Sequence, residues 1–170
     1  MTPLRDAPGQ TRVSLTLSFE PFAEQIASLR SAVSALCAPY VADADERSRV
    51  LLAAHELLEN IVKYSSGGMA EFHFSLETAQ AGLRARLRTK NRAEPERLSD
   101  TQRRLDALAA APDPVAHYDE MIRESAGRRH GSGLGLARIL AESEMALQYD
   151  IEQGVLIITA EVIVSERAPS

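Results

Sequence analysis

Residues 50–65 read VLLAAHELLENIVKYS. At about 100° per residue, Leu51, Ala54, Leu58, Ile61 and Val62 fall on one side of a helix, while Glu56, Asn60 and Lys63 gather on the other. Steps of four and then three residues bring a carboxylate, an amide and an ammonium within reach of one ligand. Such a trio suits a metal-bound phosphate. The carboxylate can orient or deprotonate a water or hydroxyl, the amide oxygen can coordinate Mg²⁺, and the lysine can offset phosphate charge. A polar stripe opposite an apolar one is also what any surface helix shows, so the pattern needs a second signal before it specifies chemistry.

That signal lies at residues 131–136, Gly131-Ser132-Gly133-Leu134-Gly135-Leu136, followed by the helical spacing of Ile139, Leu140 and Met145. Glycines before a helix let the backbone approach phosphate oxygens, and the free N–H groups of the first turn supply donors at the positive end of the dipole. A flexible hinge or close helix–strand packing would use the same glycines. The run does not follow a strand, as a dinucleotide fingerprint should, and lacks the Lys-Ser/Thr of a P-loop. Just upstream, Arg128, Arg129 and His130 either grip phosphate or are solvated loop charges.

Working outward, Asp43 or Asp45 can cap the first helix, and Gly67-Gly68 ends it. Before it, Val13, Leu15, Leu17 and Phe19 alternate with Ser14, Thr16 and Ser18, which predicts a half-buried strand. Residues 22–38 have helical spacing up to Pro39. After the glycine pair, MAEFHFSLE and GLRARLRTK predict a hairpin turning near Ala81-Gly82. Residues 94–126 turn polar and alanine-rich, broken by Pro112 and Pro114, and predict two helices forming a lid over about 92–130. The chain closes on two strands turned at Gln153-Gly154. Residues 1–12 and 165–170 read as a loose leader and tail around a single domain at 13–164. Hairpins separated by helices predict an α+β fold with helices on one face of an antiparallel or mixed sheet.

Across 170 residues, 45% are apolar and 25% charged, the balance of a globular domain large enough to bury a core. The net charge of -5 argues against nucleic-acid binding, which rests on basic residues neutralising phosphates. The lone Cys37 sits on a helix face and reads as a small buried hydrophobe. No cluster of Cys and His has zinc spacing. No apolar run reaches the roughly 18 residues of a membrane span, and no charged-then-apolar leader opens the sequence, so a cytoplasmic protein is expected.

Taken together, the two signals resemble a known family. Glu56-Leu-Leu-Glu59-Asn60-Ile-Val-Lys63-Tyr64 resembles the N-box of the histidine-kinase-like (GHKL, Bergerat-fold) ATPases, and the glycine run at 131–136 is similar to their second glycine box. The two occur in the family's order, with a hairpin and a lid between them. The resemblance implies a two-layer α/β sandwich with a mixed, mostly antiparallel sheet, holding ATP between the N-box helix and the lid. It implies that Asn60 binds Mg²⁺, and that Lys63, Gly131, Ser132, Gly133, Leu134 and Gly135 face the triphosphate; Arg129, by its place directly before the glycines, is a candidate to grip the same oxygens or a solvated loop charge. The family's first glycine box, Asp-x-Gly-x-Gly, should fall near residues 90–94, where the sequence reads KNRAE. Asn91 is the polar residue placed to stand in for the adenine-reading Asp, since an amide offers both a donor and an acceptor.

With no phosphoacceptor-histidine hairpin before it, the chain looks like the anti-sigma-factor kinases of bacterial partner switching, and most like the SiaB type. That resemblance implies a serine/threonine kinase with Glu56 as base, acting on a small antagonist-type (STAS-like) partner, with homodimers common in the family. The missing adenine box leaves a second expectation open: a non-catalytic module that regulates by binding a partner protein.

Overall fold

The computed structural model describes residues 10–125 and 134–168. The order of elements is β1 (Thr11–Phe19), α1 (Glu24–Cys37), α2 (Ala44–Tyr64), β2 (Ala70–Ala79), β3 (Gly82–Arg92), α3 (Pro95–Ala110), α4 (Pro114–Ser125), α5 (Leu134–Glu142), β4 (Ala146–Glu152) and β5 (Val155–Val164). The strands form one sheet in the order β1-β2-β3-β5-β4. Every described pairing is antiparallel, because each strand meets a neighbour either through a tight hairpin or after an even reversal through helices. This is the expected α+β fold, at the purely antiparallel end of what the hairpins allowed.

Register divides the sheet into two unlike faces. Across it, Leu15 pairs with Phe74, Phe74 with Leu87, Leu87 with Ala160 and Ala160 with Leu147. This row and its neighbours two residues away face the helices. Phe72, Phe74, Leu76, Leu83, Leu87 and Ala160 are fully buried there against Val50, Leu57 and Ile61 of α2 and Ile139 of α5. The other face carries Arg86, whose Nε lies 3.0 Å from Glu161, and Lys90, 3.5 Å from Glu71. An alternating pattern with one charged face admits one layer of helices, giving a two-layer sandwich. Phe74→Ala, in the middle of this core, is expected to cost about 3–5 kcal/mol of stability, read as a lowered denaturation midpoint at unchanged slope.

Local chemistry explains the boundaries. Asp43, of the two candidate caps, is the one used: its Oδ1 accepts from Asp45 N–H at 2.8 Å and Glu46 N–H at 2.9 Å. Those backbone donors, Glu46's first, hold its carboxyl below the usual range. Gln153 and Gly154 both take positive φ, 49° and 79°, which suits the two-residue turn between β4 and β5. Gly82 has φ 134°, and a Cβ there would lie 2.3 Å from the Val164 carbonyl oxygen. Cys37 is fully buried, and burial pushes its thiol up to about 12, so it is protonated at neutral pH. Of the closing segment read as loose, Ser165 N–H donates to Glu46 Oε2 at 2.8 Å and Arg167 N–H to the Tyr40 carbonyl at 2.6 Å. Most of the leader, residues 1–9, lies outside the described residues.

Candidate functional site

The polar side of α2 is divided into two rows. Its buried face, Val50, Ala53, Ala54, Leu57, Leu58 and Ile61, centres on Leu57 rather than on Leu58 as the sequence spacing suggested. The helix is therefore rotated so that Glu56 is buried at 8% exposure and Asn60 is half-buried, instead of both standing opposite the core. Lys63 belongs to the outer row. Its Nζ pairs with Glu59, whose other oxygen lies 3.3 Å from His55 Nε2. The Lys63–Glu59 hydrogen bond is the first cause of both their shifts, raising the lysine and lowering the carboxyl. The expected trio thus separates: Glu56 and Asn60 share the inner row with Tyr64, while Lys63 is exposed.

Glu56 sits where α2 meets α5. Arg138 donates from Nη1 to Glu56 Oε1 at 3.1 Å and from Nε to Glu142 Oε2 at 2.9 Å, bridging two carboxylates with one guanidinium. These bonds, Glu142's first, raise the arginine's already high pKa. The other Glu56 oxygen lies against Gly135: a Cβ built on that glycine would stand 2.6 Å from Oε2. The lack of a side chain at Gly135 lets α5 lie directly on this carboxylate. Tyr118 of α4 approaches the same group, its hydroxyl pKa raised chiefly by burial and then by Glu142.

One turn along α2, Asn60 and Tyr64 line a cavity of about 70 Å³. Its floor is the inner face of the sheet, where Thr89 and Asn91 of β3 interrupt a run of apolar residues; both are buried. Leu136, Leu156 and Ile158 supply apolar wall, and α3 closes the cavity with Arg97, Asp100, Thr101 and Arg104. Asn91 donates from Nδ2 to the Arg92 carbonyl at 3.2 Å, which leaves its oxygen and one N–H. Asn60 Nδ2 is buried with no hydrogen-bond partner among the described residues. A buried amide without a partner costs about 1–3 kcal/mol, so it marks a place where a polar ligand group is expected. Rotation by 180° presents its oxygen instead of its nitrogen, which fits a cation as well as a donor.

The structure thus brings together Asn60 and Asn91 around the cavity, and Glu56 and Gly135 beside it. Leu134 opens α5 and is half-buried. Arg129, Gly131, Ser132 and Gly133 lie outside the described residues, as do Arg128 and His130. Sequence reasoning missed Arg138 and the four cavity residues of α3. The signal for Arg138 was its position four residues before Glu142 on a short helix; for α3 it was the spacing 97, 100, 101, 104 along one face.

The family description "Histidine kinase-like ATPase domain" matches residues 19–159. Among solved structures, the chain is similar to one in the crystal structure of the SiaB-SiaC complex from Pseudomonas aeruginosa. That match has 19% identity and a TM-score of 0.62, covering 91% of this chain and 90% of that one. It is also similar to the Acinetobacter baumannii histidine kinase AdeS, with 14% identity and a TM-score of 0.39, covering 88% of this chain and 68% of that one. No curated protein sequence matches. Among the described residues, no helix is long and apolar enough to cross a membrane.

Proposed function

Because the chain belongs to the histidine kinase-like ATPase domain family, we propose that it is an ATP- and Mg²⁺-dependent serine/threonine protein kinase of the partner-switching type. Its substrate would be a small antagonist-type, STAS-like protein of the bacterial cytoplasm. The observation that carries the reading is the unpartnered amide of Asn60 lining the same cavity as Asn91. One amide would hold a metal-bound phosphate and the other would read a base edge. The SiaB-SiaC structure, a complex of two proteins on a similar fold, supports a protein partner.

When bound, Mg²⁺ and ATP would supply the transferable phosphoryl group and shield its charge. Asn60 would hold the metal through its side-chain oxygen. No group of three or more acidic, His or Cys residues able to hold a metal occurs among the described residues. Asn91 would orient the base through its free oxygen and N–H. Glu56 would accept the proton of the acceptor hydroxyl, aimed by the hydrogen bond it accepts from Arg138. The backbone N–H groups at the start of α5 would stabilise phosphate charge from the helix N-terminus. At about 70 Å³ the cavity is smaller than the roughly 300–1,000 Å³ of ordinary ligand sites, so a bound nucleotide would need more room than α3 leaves here.

Calorimetric titration with ATP, with and without Mg²⁺, tests the proposal. Saturable, Mg²⁺-dependent binding is expected, lost in Asn60→Ala at unchanged thermal stability. Absence of binding at millimolar ATP would favour the non-catalytic, partner-binding reading, for which the lack of an Asp-x-Gly-x-Gly run at residues 90–94 is the observation in favour.

A further inference from the structure

Helix α3 brings Arg97 and Arg104 onto the cavity wall. Seven residues apart, they share a face and stand about 10 Å apart along the axis. Asp100 and Thr101 line the wall between them, and the Asp100 carboxylate is ion-paired with Arg103 of the same helix. Arg97 Nη1 donates to the Lys63 carbonyl at 2.8 Å, a neutral acceptor that leaves the guanidinium charge uncompensated. Arg104 forms no ion pair with any described residue. Lys63, the cation expected at this site, is taken up by Glu59. Among the described residues, the positive charge on the cavity therefore comes from α3 alone.

We infer that Arg97 and Arg104 are the polyphosphate-binding residues of this cavity, and that α3 carries them onto a nucleoside di- or triphosphate. The inference rests on the reading of the cavity as a nucleotide site and adds to it which side chains discriminate by phosphate number. Guanidinium forks match phosphate oxygens bidentately, and two cations over an apolar-walled cavity concentrate anions there. Their place in the chain is telling. They stand on the element that directly follows β3 and Asn91, the residue read as facing the base. Because α3 also closes the cavity, its seating and the ligand's phosphate number become linked quantities.

The test is titration of the native protein and of an Arg97→Gln/Arg104→Gln variant with ATP, ADP and AMP at constant Mg²⁺. In the native protein, affinity is expected to rise with phosphate number. In the variant, ATP affinity is expected to fall by roughly tenfold or more for each arginine, following the usual strength of charged hydrogen bonds, while AMP affinity is nearly unchanged. The double substitution Arg97→Lys/Arg104→Lys keeps the charge and is expected to retain part of the preference for ATP that the glutamines remove. A glutamine variant that keeps the native ratio of ATP to AMP affinity overturns the inference while the nucleotide site stands. Native protein that binds none of the three overturns the nucleotide reading and the inference with it.

Discussion

Glu56→Gln is expected to lower phosphotransfer by about 10²–10⁴-fold while leaving ATP affinity within a few-fold of native, the range for loss of a positioned general base. The substitution keeps the shape and an oxygen for Arg138 to donate to, but removes the charge and the proton acceptor. Glu56 is 8% exposed and does not line the cavity, so binding has little reason to change. Incorporation of labelled phosphate into the partner, against calorimetric ATP affinity, separates the two effects. Transfer at the native rate would remove Glu56 from the chemistry and leave it as half of a helix–helix ion pair.

Gly135→Ala should give nearly the same loss of transfer by another route. In a helix, alanine is favoured over glycine by about 1 kcal/mol. The new methyl, however, would stand 2.6 Å from Glu56 Oε2 and 3.6 Å from Cδ. The obstructing atom is the end of a flexible side chain, so the carboxylate can swing aside and the helix keeps most of its gain. Stability is thus expected to change by less than about 1 kcal/mol, while displacement of the carboxylate by an ångström costs on the order of 10²-fold in rate. Thermal midpoint and transfer rate measured on one preparation decide this. A large fall in stability with transfer intact per folded molecule would mean that the contact serves packing alone.

The fold was readable from sequence because each strand carries its own alternation and each helix its own stop. Val13 to Phe19 needed no partner to announce a strand, and Asp43 caps α2 at its start, while the helix stops at Tyr64 with Ser65 as its extended C-cap, short of Gly67-Gly68. The candidate site was legible only where its residues are neighbours on one element. Glu56 and Asn60 came from a single helical row, but the same helix misled at Lys63, since periodicity cannot tell which of two adjacent polar rows turns inward. That choice is made by Leu57, whose burial rotates the helix toward α5. Arg138 was missed because it meets Glu56 across 82 residues of chain. Asn91 was singled out by the family resemblance, and the alternation Leu83, Ala85, Leu87, Thr89, Asn91 already set it on the inner face of the sheet.

The antiparallel pairing of β3 with β5 also bears on how freely this molecule can vary. Arg92 pairs with Val155, and Ala93 N–H donates to the Gly154 carbonyl at 3.3 Å, so the sheet itself clasps both ends of the excursion that runs through α3, α4 and α5 and back by β4. For a chain whose ends are already held, closure entropy grows only with the logarithm of length, about 0.6 kcal/mol for each doubling. Insertions or deletions between α3 and α5 therefore weigh little on folding, and that stretch can be re-cut to suit different ligands or docking proteins while the sheet beneath stays as it is.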